Sequence, residues 1–346
     1  MNIGSTSTEN LSSSQIWRHR FTAAAVGLFL LVLIGCSGSG GDTSGVIFSI
    51  DTDGGADVFI IETGNEAAER LTSSASLDIS PAWSPDGKSI AFISDRNGSP
   101  ALWVMDASGE EKRQLAGSSA PVSGFRWSPD SVRIAVEFDG RAGGEISILD
   151  IESAELTSLT LSTEDARLGD WSPDGEWVVY SVSESDQSAV RRRNPTGVDE
   201  ITLFQGRAAH PRWSRNGQFI AFNRLKDDGS VDLVVMDKDG KDDLTVASDV
   251  NDVSPHDWSP DSKRLVYLSG DVGESEIYVV GRDGKDATRL TSNRVAESAP
   301  IWSSDGASIL FISEGGNSSN IFTMNGDGGD QQRITSLADV VLGADW

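Results

Sequence analysis

The side chains that could do chemistry are few. They are two downstream histidines, a set of charged residues fixed beside tryptophans, one run of arginines and a single cysteine. His210 stands three residues before Trp213, and His256 stands two before Trp258. Asp170, Asp257 and Asp345 immediately precede Trp171, Trp258 and Trp346, while Arg126 and Arg212 precede Trp127 and Trp213. A histidine beside a carboxylate can move a proton as a general acid or base, and alternating arginines and aspartates can grip a charged ligand. Two histidines are a poor match to a multi-histidine metal centre. The sequence has no G-x-S-x-G elbow for a hydrolase nucleophile. No catalytic residue, metal ligand or cofactor is assigned. The Asp51–Asp57 and Asp237–Asp239 turns miss the EF-hand loop: position six of the first is Ala56, and position twelve of the second is Ser248. They read as hairpin turns with at most weak surface Ca²⁺ binding.

Arg191, Arg192 and Arg193 run consecutively where a strand is expected. Side chains alternate along a strand, so the run puts charge on both faces and predicts a poorly covered segment. It reads either as a docking patch for an acidic partner or as a degenerate strand whose arginines pair with local carboxylates such as Glu184, Asp186 and Asp199.

What positions these residues is a repeat. Trp83, Trp127, Trp171, Trp213, Trp258, Trp302 and Trp346 recur at intervals of 42 to 45 residues. The first six each open a turn: WSPDG, WSPDS, WSPDG, WSRNG, WSPDS and WSSDG. Proline presets φ, Asp or Asn tolerates the next corner, and glycine supplies a positive φ, so each is a tight reversal between strands. An apolar strand follows, as in Ile90-Ala91-Phe92 or Leu265-Val266-Tyr267. Consecutive apolar residues predict burial on both faces. A polar loop, a second strand such as Leu102-Trp103-Val104-Met105, an Asp-x-x-Gly turn and an outer strand ending Arg-Leu-Thr complete the unit.

Four short strands per repeat of about 44 residues predict an all-β, seven-bladed β-propeller of four-stranded blades. Residues 46–72 hold three strands with no WSPDG-type strand before them, and the last Trp arrives with nothing after it. The C-terminal strand is therefore expected to complete the first blade, leaving no open edges. Blades sandwiched in this way should use the tryptophans as packing between neighbours, not as sugar-stacking platforms. The two histidines and the charged residues before the tryptophans then fall near the mouth of the central channel, as a candidate polar ring.

The unit W-S-P-D-G, apolar strand, D-x-x-G, R-L-T resembles the WD-like repeat of TolB-type propellers over residues 45–346. TolB itself carries an α/β domain before a six-bladed propeller, whereas here the propeller follows a short tether and the register counts seven. The resemblance implies a binding propeller. Related propellers include peptidases with a hydrolase domain and sugar-acid lyases, so the alternative is a lyase- or hydrolase-type site at the channel mouth.

The N-terminal part sets the location. Arg18, His19 and Arg20 precede an apolar run from Phe21 to Gly35, the size of a signal-peptide core and short for a membrane span. Leu33-Ile34-Gly35-Cys36 resembles the bacterial lipoprotein box, which implies cleavage before Cys36 and lipidation of its thiol. Ser37 in place of Asp implies outer-membrane sorting. Residues 1–35 are thus read as a signal peptide, 36–44 as lipidated cysteine and flexible tether, and 45–346 as the propeller. Eight tether residues span roughly 15 Å. With 28 basic and 53 acidic residues, the chain repels phosphate backbones, which excludes nucleic acid as a partner class. The sequence therefore predicts a monomeric propeller, lipid-anchored in the bacterial outer membrane and facing the periplasm. There it would bind an envelope protein or glycan through loops such as Asp95–Pro100, Asp139–Gly144, Asp227–Val231 and Asp271–Glu276.

Overall fold

The structure is a computed structural model that describes residues 45–346 except 53, 63–66, 141–142, 185–186, 252–254, 272 and 294. The signal peptide, Cys36 and the tether lie outside the described residues, as does Asp53 of the first Asp-rich turn. The side chains of Glu184 and Asp186 lie outside them as well. All regular structure described is strand, arranged in seven antiparallel four-stranded sheets.

Blades two to seven are contiguous in sequence. Blade one is composite. Its inner strand is Val341–Asp345, paired to Gly45–Thr52, with Gly55–Glu62 and Glu69–Arg70 outside it. Ile47 pairs with Asp345, Phe48 with Ala344 and Ser49 with Gly343. The ring closes as the sequence predicts.

The second strand of each blade forms the core. Ile90, Ala91 and Phe92 are buried, as are Ile220, Ala221 and Phe222, because each blade is covered by a neighbour on both sides. The tryptophans stitch those neighbours together. Trp127 Nε1 donates to the Ala82 carbonyl at 3.2 Å, Trp171 Nε1 to Arg126 at 3.1 Å and Trp258 Nε1 to Arg212 at 3.3 Å, each one blade back. An aromatic body fills the seam while its N–H satisfies a buried carbonyl.

The WSPDG turn works through its serine and aspartate. Ser84 Oγ donates to Asp86 at 2.8 Å and accepts from the Ser89 amide at 3.0 Å, and Gly87 N closes on the Ser84 carbonyl at 2.8 Å. The same bonds recur at Ser214, Asn216 and Phe219. The Asp-x-x-Gly turn needs its glycine at Gly240: φ is 76°, and a Cβ would lie 2.5 Å from the Leu203 carbonyl.

The threonine that closes the repeat is also a latch. Thr72, Thr160, Thr291 and Thr335 each accept a third-strand amide at 2.9 Å. Arg70 reaches back to Asp57, and Arg289 to Glu276 at 2.7 Å.

Candidate functional site

Antiparallel pairing sorts the connections onto two faces. The turns after each tryptophan and the Asp-x-x-Gly turns share one face. The loops between second and third strands share the other, with the connections between blades, since Asp78 at the start of an inner strand pairs with Ser94 at the start of such a loop. His210 lies three residues before its tryptophan, inside its inner strand and towards the loop face.

Six of the seven inner strands carry a bulge before their tryptophan; the inner strand described for blade six is only Asp257–Trp258 and pairs without a slip. The register slips between Ala209 and Arg212, between Ile79 and Ala82, and between Ser298 and Ile301. The residue three before the tryptophan takes a left-handed φ at Ser80 (52°), His210 (53°) and Ala299 (55°). A bulge re-aims side chains, so simple alternation from the sequence does not give their direction.

The charged residues beside the tryptophans are buried: Arg126, Asp170, Arg212, Asp257 and Asp345. Two of the carboxylates hold blades together. Asp257 accepts the Trp302 amide at 2.9 Å, and Asp345 accepts the Trp83 amide at 2.9 Å, each across to the next blade in the ring. Asp170 accepts the amide of its own neighbour, Trp171, at 2.9 Å. Arg126 donates to the Phe125 carbonyl at 2.9 Å.

His210, Arg212 and His256 come together where blades five and six meet. His256 is fully enclosed, and neither ring nitrogen makes a hydrogen bond of normal geometry. Burial pushes its pKa down to about 3, with Arg212 and His210 adding to the push and the Ala221 backbone opposing it. It is thus a neutral imidazole at ordinary pH. Asp257 beside it is pushed up by burial, against the pull of Arg215 and Arg212. Asp170, Asp345 and Arg126 sit on other blades of the ring and do not join this group. Among the described residues, no three His, Cys, Asp or Glu side chains converge as a metal site. Asp237 spends its carboxylate on the Asp239 and Lys241 amides at 2.9 and 2.8 Å, as a turn aspartate does.

The three arginines are better covered than their sequence predicts. Their side chains are 15%, 9% and 17% exposed. Arg191 meets Glu164 at 3.1 Å, and Arg193 meets Glu200 at 3.3 Å and the Leu159 carbonyl at 2.5 Å. Arg192 lies over the Trp177 ring at 4.6 Å and reaches Asp239 at 3.0 Å. The strand is covered because the long aliphatic stems pack while the guanidinium heads find carboxylates on flanking elements. The partners described are Glu200 on the same blade, Glu164 on its approach and Asp239 on the next blade.

The sequence matches the family model described as TolB beta propeller domain over residues 39–207 and 197–346. The chain belongs to the TolB β-propeller domain family. Similar solved structures include TolB from Acinetobacter baumannii, at 20% identity and TM-score 0.57, covering 74% of this chain and 65% of that one. An oligogalacturonate lyase in complex with manganese aligns at 17% identity and TM-score 0.62, covering 84% of each chain. A puromycin-hydrolyzing peptidase from Mycobacterium tuberculosis aligns at 14% identity and TM-score 0.65, covering 85% of this chain and 53% of that one. At such identities these likenesses speak for the fold. No curated protein matches the sequence.

One further group on this TolB-type propeller carries no mark in the sequence. Glu276, Glu297 and Glu314 gather at the loop face between blades six and seven. Glu297 is buried, with Asn293 and Ser313 donating to one of its oxygens while the other has no partner. Burial raises its pKa to about 7; Asn293 and Ser313 oppose this, and Glu276 and Glu314 reinforce it. A carboxyl raised from its ordinary 4.5 holds its proton more tightly in the folded state. Its stabilising contribution is full below pH 4.5 and lost as pH rises through 7. We expect Glu297→Gln to gain on the parent in paired thermal melts as pH is raised from 4.5 to 7.5. Parallel curves would sink the assignment.

Proposed function

We propose that this propeller is a lipid-anchored envelope scaffold that binds a partner through its loop face, with Cys36 as the anchor and residues 37–44 as the tether. The difference between its two faces carries the reading. On the turn face, the segment after the tryptophan has five residues in blades two, three, five, six and seven, and six in blade four. Each is closed by its own hydrogen bonds. On the loop face, the corresponding connections range from two residues in blades one, four and seven to six in blades two and six. A stiff frame with one uniform face and one variable face divides labour between architecture and recognition.

The chemistry favours a protein over a glycan. Sugars are held by exposed aromatic platforms, and every described aromatic side chain is buried or half-buried. The gathering of His210, Arg212, His256 and Asp257 is the observation that favours a channel-mouth lyase or hydrolase instead.

Affinity capture from the native envelope with the full chain separates these readings. Asp227→Lys with Glu274→Lys, both on exposed loop-face positions, should lower recovery of partner by about tenfold, as expected for loss of interface anchors. Glu110→Lys with Glu176→Lys on the turn face should leave it unchanged. Equal loss from both pairs, or turnover of an envelope substrate abolished by His256→Ala, would overturn the scaffold reading.

A further inference from the structure

The rim of the ring is uneven. In a propeller the outer strand of each blade is a free sheet edge, and short outer strands blunt it. The outer strands of blades one, two, three, six and seven are Glu69–Arg70, Arg113–Ala116, Leu156–Ser158, Thr288–Arg289 and Gln332–Arg333. Blades four and five depart from this: Glu200–Gln205 has six residues and Leu244–Ser248 has five.

Exposed aliphatic side chains concentrate in the same place. Seven large apolar residues are exposed among those described, and six of them lie on blades three to five or the connection between blades three and four. Val198 is 79% exposed, Leu244 45% and Ile201 38%. Val198 leads directly into the longest outer strand and Ile201 lies within it. Beside them, between blades three and four, runs a groove of about 330 Å³ lined by Ile148 and Thr157 on one side and Pro195 and Thr196 on the other. A segment laid along Glu200–Gln205 and continued past Val198 would enter it.

Charge says what that segment carries. Glu152 and Glu155 on blade three, Asp199 on blade four, and Asp242 and Asp243 on blade five are all exposed along this stretch. The whole chain has a net charge of −25, so a second copy meeting the same edge would be repelled.

We propose that the rim of blades three to five, centred on Glu200–Gln205, is a docking edge that takes an extended segment of a partner protein as a fifth strand. That segment alternates aliphatic residues, which cover Ile201 on the face towards blade five, with lysine or arginine, which on the opposite face meet Glu152 and Glu155 of blade three. Main-chain hydrogen bonds supply affinity in this mode, and alternate side chains supply specificity. The surface is distinct from the loop face, so both can be occupied at once.

The test uses the full chain and a fluorescent ten-residue peptide of alternating lysine and valine, read by anisotropy. Two probes accompany it: a glutamate–valine counterpart, and the lysine peptide N-methylated at alternate amides. The lysine peptide should bind, and both counterparts should bind at least about tenfold more weakly. Amide exchange in unmodified protein should slow at Glu200–Gln205 on binding, and Ile201→Asp should weaken binding about tenfold. Equal binding of the N-methylated peptide, protection confined to the loop face, or no binding of the lysine peptide would each overturn the proposal. The exchange measurement needs no variant, so it stands even where a substitution disturbs folding.

Discussion

Removal of residues 341–346 is expected to abolish the cooperative fold, and a peptide of residues 339–346 added in trans should restore it. The deleted segment is the whole inner strand of blade one. Its loss frees the inner edge of Gly45–Thr52, whose Val46, Phe48 and Ile50 are buried, and removes Val341 and Ala344 from the same core. Two seams open as well. Trp83 loses the Asp345 carboxylate from its amide, and Trp302 loses the Trp346 indole N–H from its carbonyl at 3.2 Å. A domain typically has about 5–15 kcal/mol of net stability, and these losses together are of that order. The single latch can be weighed separately. Asp345→Ala leaves a buried amide without its acceptor and should cost about 2 kcal/mol by chemical denaturation, with the ring still closed. A truncated chain that melts at the parent temperature and elutes as compactly would show that the ring does not depend on this strand.

The ring was legible because its signal is repetitive. Seven tryptophans share one register and the first six open a Ser–Asp or Ser–Asn turn, and a turn with fixed chemistry needs no tertiary information to be read. Closure was legible for the same reason: a last inner strand without followers and a first set of three strands without a leader fit only each other. The site was less legible. Asp257 and Asp345 look like channel ligands in sequence, yet they reach the next blade's tryptophan amide, and nothing local distinguishes a carboxylate that latches a seam from one that lines a pore. The bulges hid His210, because a one-residue slip reverses side-chain direction. Arg191 and Arg192 looked exposed because Glu164 and Asp239, which meet them, are 27 and 47 residues away. The Glu276–Glu297–Glu314 group was invisible in a chain with 53 acidic residues, where no composition signal marks the buried ones.

Acidification should expose His256 as the most pH-sensitive point of the fold. Its imidazole titrates near 3 when folded against an ordinary 6.5, because burial and the facing Arg212 and His210 all disfavour the cation. Unfolding therefore takes up a proton throughout that interval. Stability contributed by the neutral ring is complete above pH 6.5 and is lost as pH falls, by about 3 kcal/mol at pH 4. Turn aspartates such as Asp86 and Asp261, held low by their serine and backbone donors once burial is overcome, lose their contribution only below about pH 4. Glu297 works in the opposite direction over much of the same range, so the parent protein should look nearly flat between pH 4.5 and 6.5. Removing one group then reveals the other. His256→Leu, which replaces two unpartnered buried nitrogens with apolar surface, should match or exceed the parent at pH 7. It should also become more stable on acidification to pH 4.5. Glu297→Gln should instead lose stability steadily from pH 6.5 downward, and the double variant should be flat. If His256→Leu kept the parent's pH profile, the buried histidine would be exchanging protons with solvent in the folded state. The seam between blades five and six would then be open where its packing says it is shut.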